Sequence, residues 1–471
     1  MAHTHPLPDP IAPARAPLLQ VVHGPGPCIA DPGFPYGEEL LQFIWAARLY
    51  NAHGLRTTDG RPVEVIKPGR IQRNSGPDLE EARVRVDGQL WAGNVEVHVR
   101  SSEWNAHGHQ HDPAYENVVL HVVHAHDAVV RTRLGHAPPT VELAHRIATD
   151  SIAMHLELMR GTGFVPCARQ LHHVAAGRAG MWLERVLVER LERRTQYVEE
   201  LYRQLGNDPA ATLYHVLARA FGLKVNADPF GMLAHALPLP VLLKHRDDAL
   251  RTEALLFGQA GLLQVDFVDE HPRALQREHA HLARLHGLVP APLAAWKFGR
   301  MRPVNLPTVR IAQLARLLMR TDGHFMALLE VDDVAVLRQR LTVTAGPYWD
   351  THHVFDRPGP VRPKRIGVAA ADHLIINAVV PALFALGRLL GRTAWQDRAL
   401  HLLEQLPAER NHVLAGWAAL GLTADTAGRG QALLELKDRY CSPRRCLSCG
   451  FGNQLMARTV KGPAPSAATG T

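Results

Sequence analysis

Asp78, Glu96 and His98 are residues whose types and spacing could do chemistry. They stand in "GPDLEEARVRV" and "WAGNVEVHVRSSEW": an aspartate just before one strand-like run, a glutamate and a histidine inside the next. Side chains alternate between the faces of a strand, so Val95, Val97 and Val99 share one face and Glu96, His98 and Arg100 the other. Carboxylates and an imidazole converging there could hold a divalent ion. The same pattern also fits an ordinary solvent-facing strand surface. Beside it lie His107, His109 and His111 in "HGHQHD", and His121 is a polar residue inside the apolar run "VVLHVV". A strand next to that of Glu96 would bring His121 to the same place. The chain has 29 histidines, so chance alone puts some of them here.

Cys441, Cys446 and Cys449 in "YCSPRRCLSCG" form a second constellation, holding three of the five cysteines. Thiolates at these spacings suit zinc or an iron–sulfur cluster. A fourth ligand is needed, and Cys167 in "GFVPCARQL" is the candidate ahead of Cys28. The alternative is a set of ordinary buried thiols.

The third constellation is basic. From Pro290 to Arg320 there is Lys and Arg but no Asp or Glu, and Trp296 and Phe298 are interleaved with Arg300, Arg302 and Arg310. Guanidinium groups beside aromatic faces suit phosphates and unstacked bases, which makes DNA or RNA the expected partner. A basic helix face bordering acidic surface would look the same. The net charge of +7 points the same way, although a genome rich in G and C would itself enrich Arg.

These residues need elements to position them. Residues 1–35 are rich in Pro and Gly and read as a flexible leader. A helical stripe over "EELLQFIWAARLY" comes next, then the strand-like runs "RPVEVIKPG", "EARVRVDG" and "LWAGNVEVHVR". "DPAYE" offers a short helix with Asp112 as cap and Pro113 at its first position, before the strand-like "NVVLHVVHAHD". This α/β domain spans 36–150. A mostly helical domain follows over 165–455, opening with the amphipathic "AGMWLERVLVERLERRTQYVEELYRQLG" and ending in the Cys cluster; 456–471 reads as a disordered tail. "EALLFGQAGLL" reads as a packed helical turn whose small residues allow close approach. The most apolar run, "LIINAVVPALFALGRLL", is broken by Asn377, Pro381 and Arg388 and fits a buried helix better than a membrane span. No apolar signal segment opens the chain, and few cysteines in so long a chain fit a reducing compartment; a cytoplasmic protein is expected.

On this helix, three-strand, helix, strand frame, Pro77-Asp78 and Glu96 resemble the two acidic motifs of the PD-(D/E)xK nuclease superfamily, with His98 where the pattern usually has Lys. The resemblance implies an α+β fold with a nuclease-like N-terminal domain, Mg or Mn held by Asp78 and Glu96, and a further carboxylate from Glu38 or Glu39. His98 would replace the fixed charge of Lys only if protonated, and otherwise could serve as ligand or base. Taken with "EALLFGQAGLL", "RMRPVNLPTVRIAQLA" and "YCSPRRCLSCG", these stretches resemble an uncharacterised bacterial family, domain of unknown function 2851, from about Leu40 to Leu455. That family implies no activity. The expected function is a metal-dependent nuclease. The alternatives are an inactive nuclease fold that binds nucleic acid, and a His/carboxylate metalloenzyme acting on a small molecule.

Overall fold

The computed structural model of the chain describes residues 36–72, 75–291, 293–320 and 325–461. The expected leader, with Cys28, lies outside the described residues. The described residues divide into two compact units, one over residues 36–155 with residues 456–461, the other Leu156–Leu455. The first carries a mixed sheet and the second is helical, an α+β organisation.

In the first unit α1 (Glu38–Ala46) opens with Glu38 and Glu39 at its positive end and buries Leu40, Leu41, Phe43, Ile44 and Trp45. The strands are β1 (Val63–Lys67), β2 (Arg70–Ile71), β3 (Leu79–Val86), β4 (Gln89–Arg100), β5 (Val118–Ala125) and β6 (Thr140–Glu142). Their order is β1-β3-β4-β5-β6, with β2 paired to β3. β3 runs antiparallel to both β1 and β4, whereas β5 is parallel to β4 and β6. Parallel neighbours cannot be joined by a tight turn. The chain between β4 and β5 therefore crosses over through the short α2 (Glu103–Ala106) and two 3-10 turns, and that crossover carries His107 and His109. "DPAYE" forms one of these turns, with the Asp112 side chain accepting from the Ala114 N–H.

A bulge sets the register that matters. Ala82 faces Gly93, but Leu79 faces Val95, so Glu80 and Glu81 together stand against Asn94. Glu81 takes the left-handed conformation (φ +57°) this requires. One step further along the shifted register, Asp78 stands opposite Glu96, and on the other side of β4 Glu96 faces His121. Gly93 has no room for a side chain: a Cβ there would lie 2.5 Å from the Asn117 carbonyl oxygen.

The second unit packs its helices around a core that includes Leu213, Phe230, Phe257, Leu314 and Leu383. "EALLFGQAGLL" supplies the last part of the helix Ala249–Gln259 and the turn after it, and a Cβ on Gly258 would fall 2.0 Å from the His279 ring, so close approach does require the glycine. The apolar run lies in a helix, Val368–Leu389, long and apolar enough to cross a membrane, yet 72% of its apolar window is buried inside the protein. Two expectations change. β2 and β6 extend the sheet beyond the strands read from the sequence, because each is too short to show a period. Residues 456–461, expected in the tail, continue the helix Gly450–Lys461, which buries Leu455 and Met456.

Candidate metal centre

The bulge and the parallel pairing bring Asp78, Glu96 and His98 together. Glu96 Oε2 accepts the Asp78 N–H at 3.0 Å, and Asp78 Oδ2 accepts the Val97 N–H at 3.0 Å. Gln42 on α1 donates to the other Asp78 oxygen, Oδ1, at 2.8 Å. Glu96 Oε1 faces inward, 3.2 Å from His109 Nε2 and 3.6 Å from His98 Nε2. His109 stacks on Tyr115 with ring centroids 3.8 Å apart, which fixes its plane, and its Nε2 finds no hydrogen-bond geometry with any described residue. His98 Nδ1 lies 2.8 Å from His121 Nε2, and His98 Nε2 lies 3.2 Å from His107 Nδ1. Ligand atoms of His98, His107 and His109 all lie within 4.8 Å of one another.

The face of β4 that bears Glu96 and His98 is not a solvent surface. Glu96 is 4% exposed, and His98 and His121 are fully buried. Burial pushes the Glu96 carboxyl up to about 8, against the relief given by the Asp78 N–H. Asp78 is pushed up to about 7 by burial and then by Glu96, and Glu38 on α1 to about 8 by burial and then by Asp78, Glu103 and Glu96. The relief at Asp78 comes from the Val97 N–H, Gln42 and His109. Burial, and then the neighbouring imidazoles, hold His98 well below the ordinary range, and His121 is pushed down to about 3. His98 is therefore neutral at pH 7 and cannot stand in for a lysine's charge.

Sequence reasoning missed Gln42 and Tyr115. A glutamine on a helix and a tyrosine after a proline carry no compositional signal of what they will touch. His111 is exposed and stands apart from the group. Of Glu38 and Glu39, it is Glu38 whose charge couples to Asp78 and Glu96.

In the helical unit Arg300 and Arg302 are exposed around a turn, Arg300 with φ +57°. Arg310, expected beside them as a phosphate contact, is only 7% exposed and donates to Asn305 at 2.6 Å and Gln313 at 3.1 Å. It lies in the wholly buried first part, residues 307–315, of the helix Pro307–Arg320. Cys167, Cys441, Cys446 and Cys449 are all buried free thiols.

A family model described as a protein of unknown function, DUF2851, matches residues 38–412. No curated protein and no solved structure matches the chain.

Proposed function

The chain belongs to the DUF2851 family, and we propose that it is a divalent-metal-dependent phosphodiesterase of the nuclease type, with its centre at Asp78, Glu96, His98 and His109. One observation carries this. Glu38, Asp78 and Glu96 are crowded and largely buried, the charges that most raise Glu38 and Asp78 are carboxylates, and burial holds the neighbouring His109 imidazole below its ordinary range. A cation is what such a cluster lacks.

Asp78, Glu96 Oε1, His109 Nε2 and His98 Nε2 would hold the ion, with Glu38 at its margin. Mixed carboxylate and imidazole donors fit Mn²⁺ better than Mg²⁺, which prefers oxygen and water. When bound, the metal would lower the pKa of a coordinated water and offset charge on a phosphate. The protein's own part is positioning. Gln42 and the Val97 N–H aim the Asp78 carboxylate, and the Asp78 N–H aims Glu96. For His98 Nε2 to be a ligand, its proton must sit on Nδ1 and be donated to His121 Nε2, the outer-partner arrangement common to histidine ligands. His107 keeps access to solvent, and partial burial and then His109 lower its pKa, so it is neutral at pH 7 and can accept a proton from water.

Arg300 and Arg302 would contact the nucleic-acid backbone. A second class of activity, hydrolysis of a small molecule, is favoured by the compact His98, His107 and His109 trio. Assays of single- and double-stranded DNA and RNA with Mn²⁺ and Mg²⁺, run beside small phosphoesters, separate the two. Cleavage of polymers supports the nuclease. Turnover of small esters alone supports the alternative, and binding without any turnover would make the fold an inactive binder.

A further inference from the structure

The helical unit holds a polar network that the carboxylate centre does not use. Residues four apart share one face of a helix, and three helices turn such pairs into a common seam. The helix Ala176–Gln204 brings Arg190, Arg193 and Arg194, and the helix Ala427–Leu436 brings Gln431 and Glu435. The helix Val368–Leu389 brings His373 and Asn377, and the loop before His412 adds Glu409. Asn377 is one of the residues that break the most apolar run of the chain. It sits in a π turn, Ile375–Val379, a wide turn of the kind frequent at functional sites.

The hydrogen bonds settle which charges are paired. Glu435 accepts from Arg190 Nη1 at 2.9 Å and from Arg193 Nε at 2.9 Å and Nη2 at 2.6 Å, so two guanidinium groups share one carboxylate. Arg190 Nε also donates to Gln431 Oε1 at 2.7 Å. Glu409 accepts from Gln431 Nε2 at 2.8 Å and Asn377 Nδ2 at 3.2 Å, and lies 3.0 Å from His373 Nδ1. Arg194 is left over. It donates to Asn377 Oδ1 at 2.7 Å and to the Ile376 carbonyl at 3.3 Å, and no carboxylate of the described residues touches it. Three guanidinium groups therefore meet two carboxylates in a half-buried seam. A partly desolvated charge without a counter-charge is costly, and a bound anion would offset it.

His373 selects the anion. Asn377 Nδ2 gives its two hydrogens to Glu409 and to the His373 carbonyl oxygen, the latter at 3.0 Å. The hydrogen between His373 and Glu409 therefore belongs to Nδ1, which leaves Nε2 of the neutral ring as an acceptor. Neither that Nε2 nor Arg194 Nε has a partner among the described residues, and neither is sealed from solvent. The His373 and Glu409 side chains are each 25% exposed, so the seam opens where they stand. Arg194 Nη2 and His373 Nδ1 lie at opposite ends of the Asn377 amide, 2.7 Å and 3.1 Å away. We propose that this seam is a binding site for inorganic phosphate, spanning Arg194 and His373 and needing no metal ion. An ionised phosphate oxygen accepts from the Arg194 guanidinium, and a P–OH donates to His373 Nε2. Sulfate has no hydrogen to give at neutral pH, and a phosphate monoester loses its last one near pH ~6, whereas hydrogenphosphate keeps one.

The test uses the full chain, freed of metal by EDTA and then desalted, in calorimetric titrations at pH 8 and constant ionic strength. The probes are inorganic phosphate, sulfate and methyl phosphate. Phosphate should bind, and sulfate and methyl phosphate should each bind about 10-fold more weakly or worse, because the Nε2 acceptor then goes unpaired. Arg194→Gln and His373→Phe should each weaken phosphate binding by about 10-fold or more. Arg185→Ala, which removes an exposed charge from the same helix, should bind as the parent does. Should the first two variants fail to fold, the parent's melting curve decides: phosphate should raise the melting temperature and sulfate at equal ionic strength should not. Equal affinity for phosphate and sulfate, parental affinity in Arg194→Gln or His373→Phe, or a melting temperature that phosphate leaves unmoved would overturn the proposal.

Discussion

The Asp78 N–H donates to Glu96 Oε2 at 3.0 Å, so the two acidic residues expected to share an ion are held against each other by the backbone itself. That contact exists because Glu80 and Glu81 bulge out of β3 opposite Asn94. It also crowds negative charge, which gives the centre a pH signature.

Asp78, Glu96 and Glu38 bind their protons more tightly in the folded protein than in the unfolded chain, whose carboxyls titrate near ~4. Their contribution to stability is fully present below that value and is lost as pH rises through about 7 for Asp78 and about 8 for Glu96 and Glu38. Protein treated with EDTA should therefore melt at progressively lower temperature as pH rises across this window. Added Mn²⁺ should restore stability, and more strongly at its upper end, where the ion displaces fewer protons. A flat profile in both titrations would contradict the crowding of the carboxylates.

His121 is expected to act through His98, since its Nε2 lies 2.8 Å from His98 Nδ1. Replacing His121 by Phe should weaken Mn²⁺ binding about 10–100-fold, the usual cost of losing an outer partner. Calorimetric titration with Mn²⁺ measures it, and an affinity equal to the parent's would remove His121 from the centre.

The arginines separate into two kinds. Arg300→Ala with Arg302→Ala should weaken nucleic-acid binding and lower the slope of log K against log salt by about two, as two phosphate contacts are lost. Arg310→Ala should instead cost about 1–3 kcal/mol of stability, because Asn305 and Gln313 lose a buried donor. Salt-dependent binding curves and denaturant melts distinguish them. An unchanged slope in the double variant would deny the turn a role in binding.

Much of this was legible in the sequence, and the limits have physical causes. Alternation along β4 placed Glu96 with His98, and the apolar flanks of His121 marked it as an inward polar residue. What the alternation could not say is that this face is buried, since polarity alone does not separate a lined cavity from a wet surface. The bulge was invisible because a glutamate at φ +57° leaves no glycine to announce it. Arg310 differs from its neighbours for a related reason: in "RMRPVNLPTVRIAQLA" it looks like one of a basic set, but it falls in a helix whose residues 307–315 are all buried. Gln42 gave no signal at all.

Gly93 is a stability test of the strand that carries the centre. Gly93→Ala would drive a methyl to 2.5 Å from the Asn117 carbonyl oxygen and 2.6 Å from Val119 Cγ1. Overpacking of this sort costs about 1–3 kcal/mol. Denaturant unfolding of the variant checks it, and parental stability would mean the β4 crossover yields without cost.

Glu96 is the proposed ligand of a metal centre that breaks phosphodiester bonds. The direct measurement is Mn²⁺-dependent cleavage of end-labelled DNA and RNA by the parent and by Glu96→Gln, with circular dichroism to verify folding. The parent should cleave in a manner EDTA abolishes, and the folded variant should lose about 100-fold or more, because the ligand charge that holds the ion is gone. A folded Glu96→Gln protein that cleaves as fast as the parent, or a Mn²⁺-loaded parent that cleaves neither polymer, would contradict it.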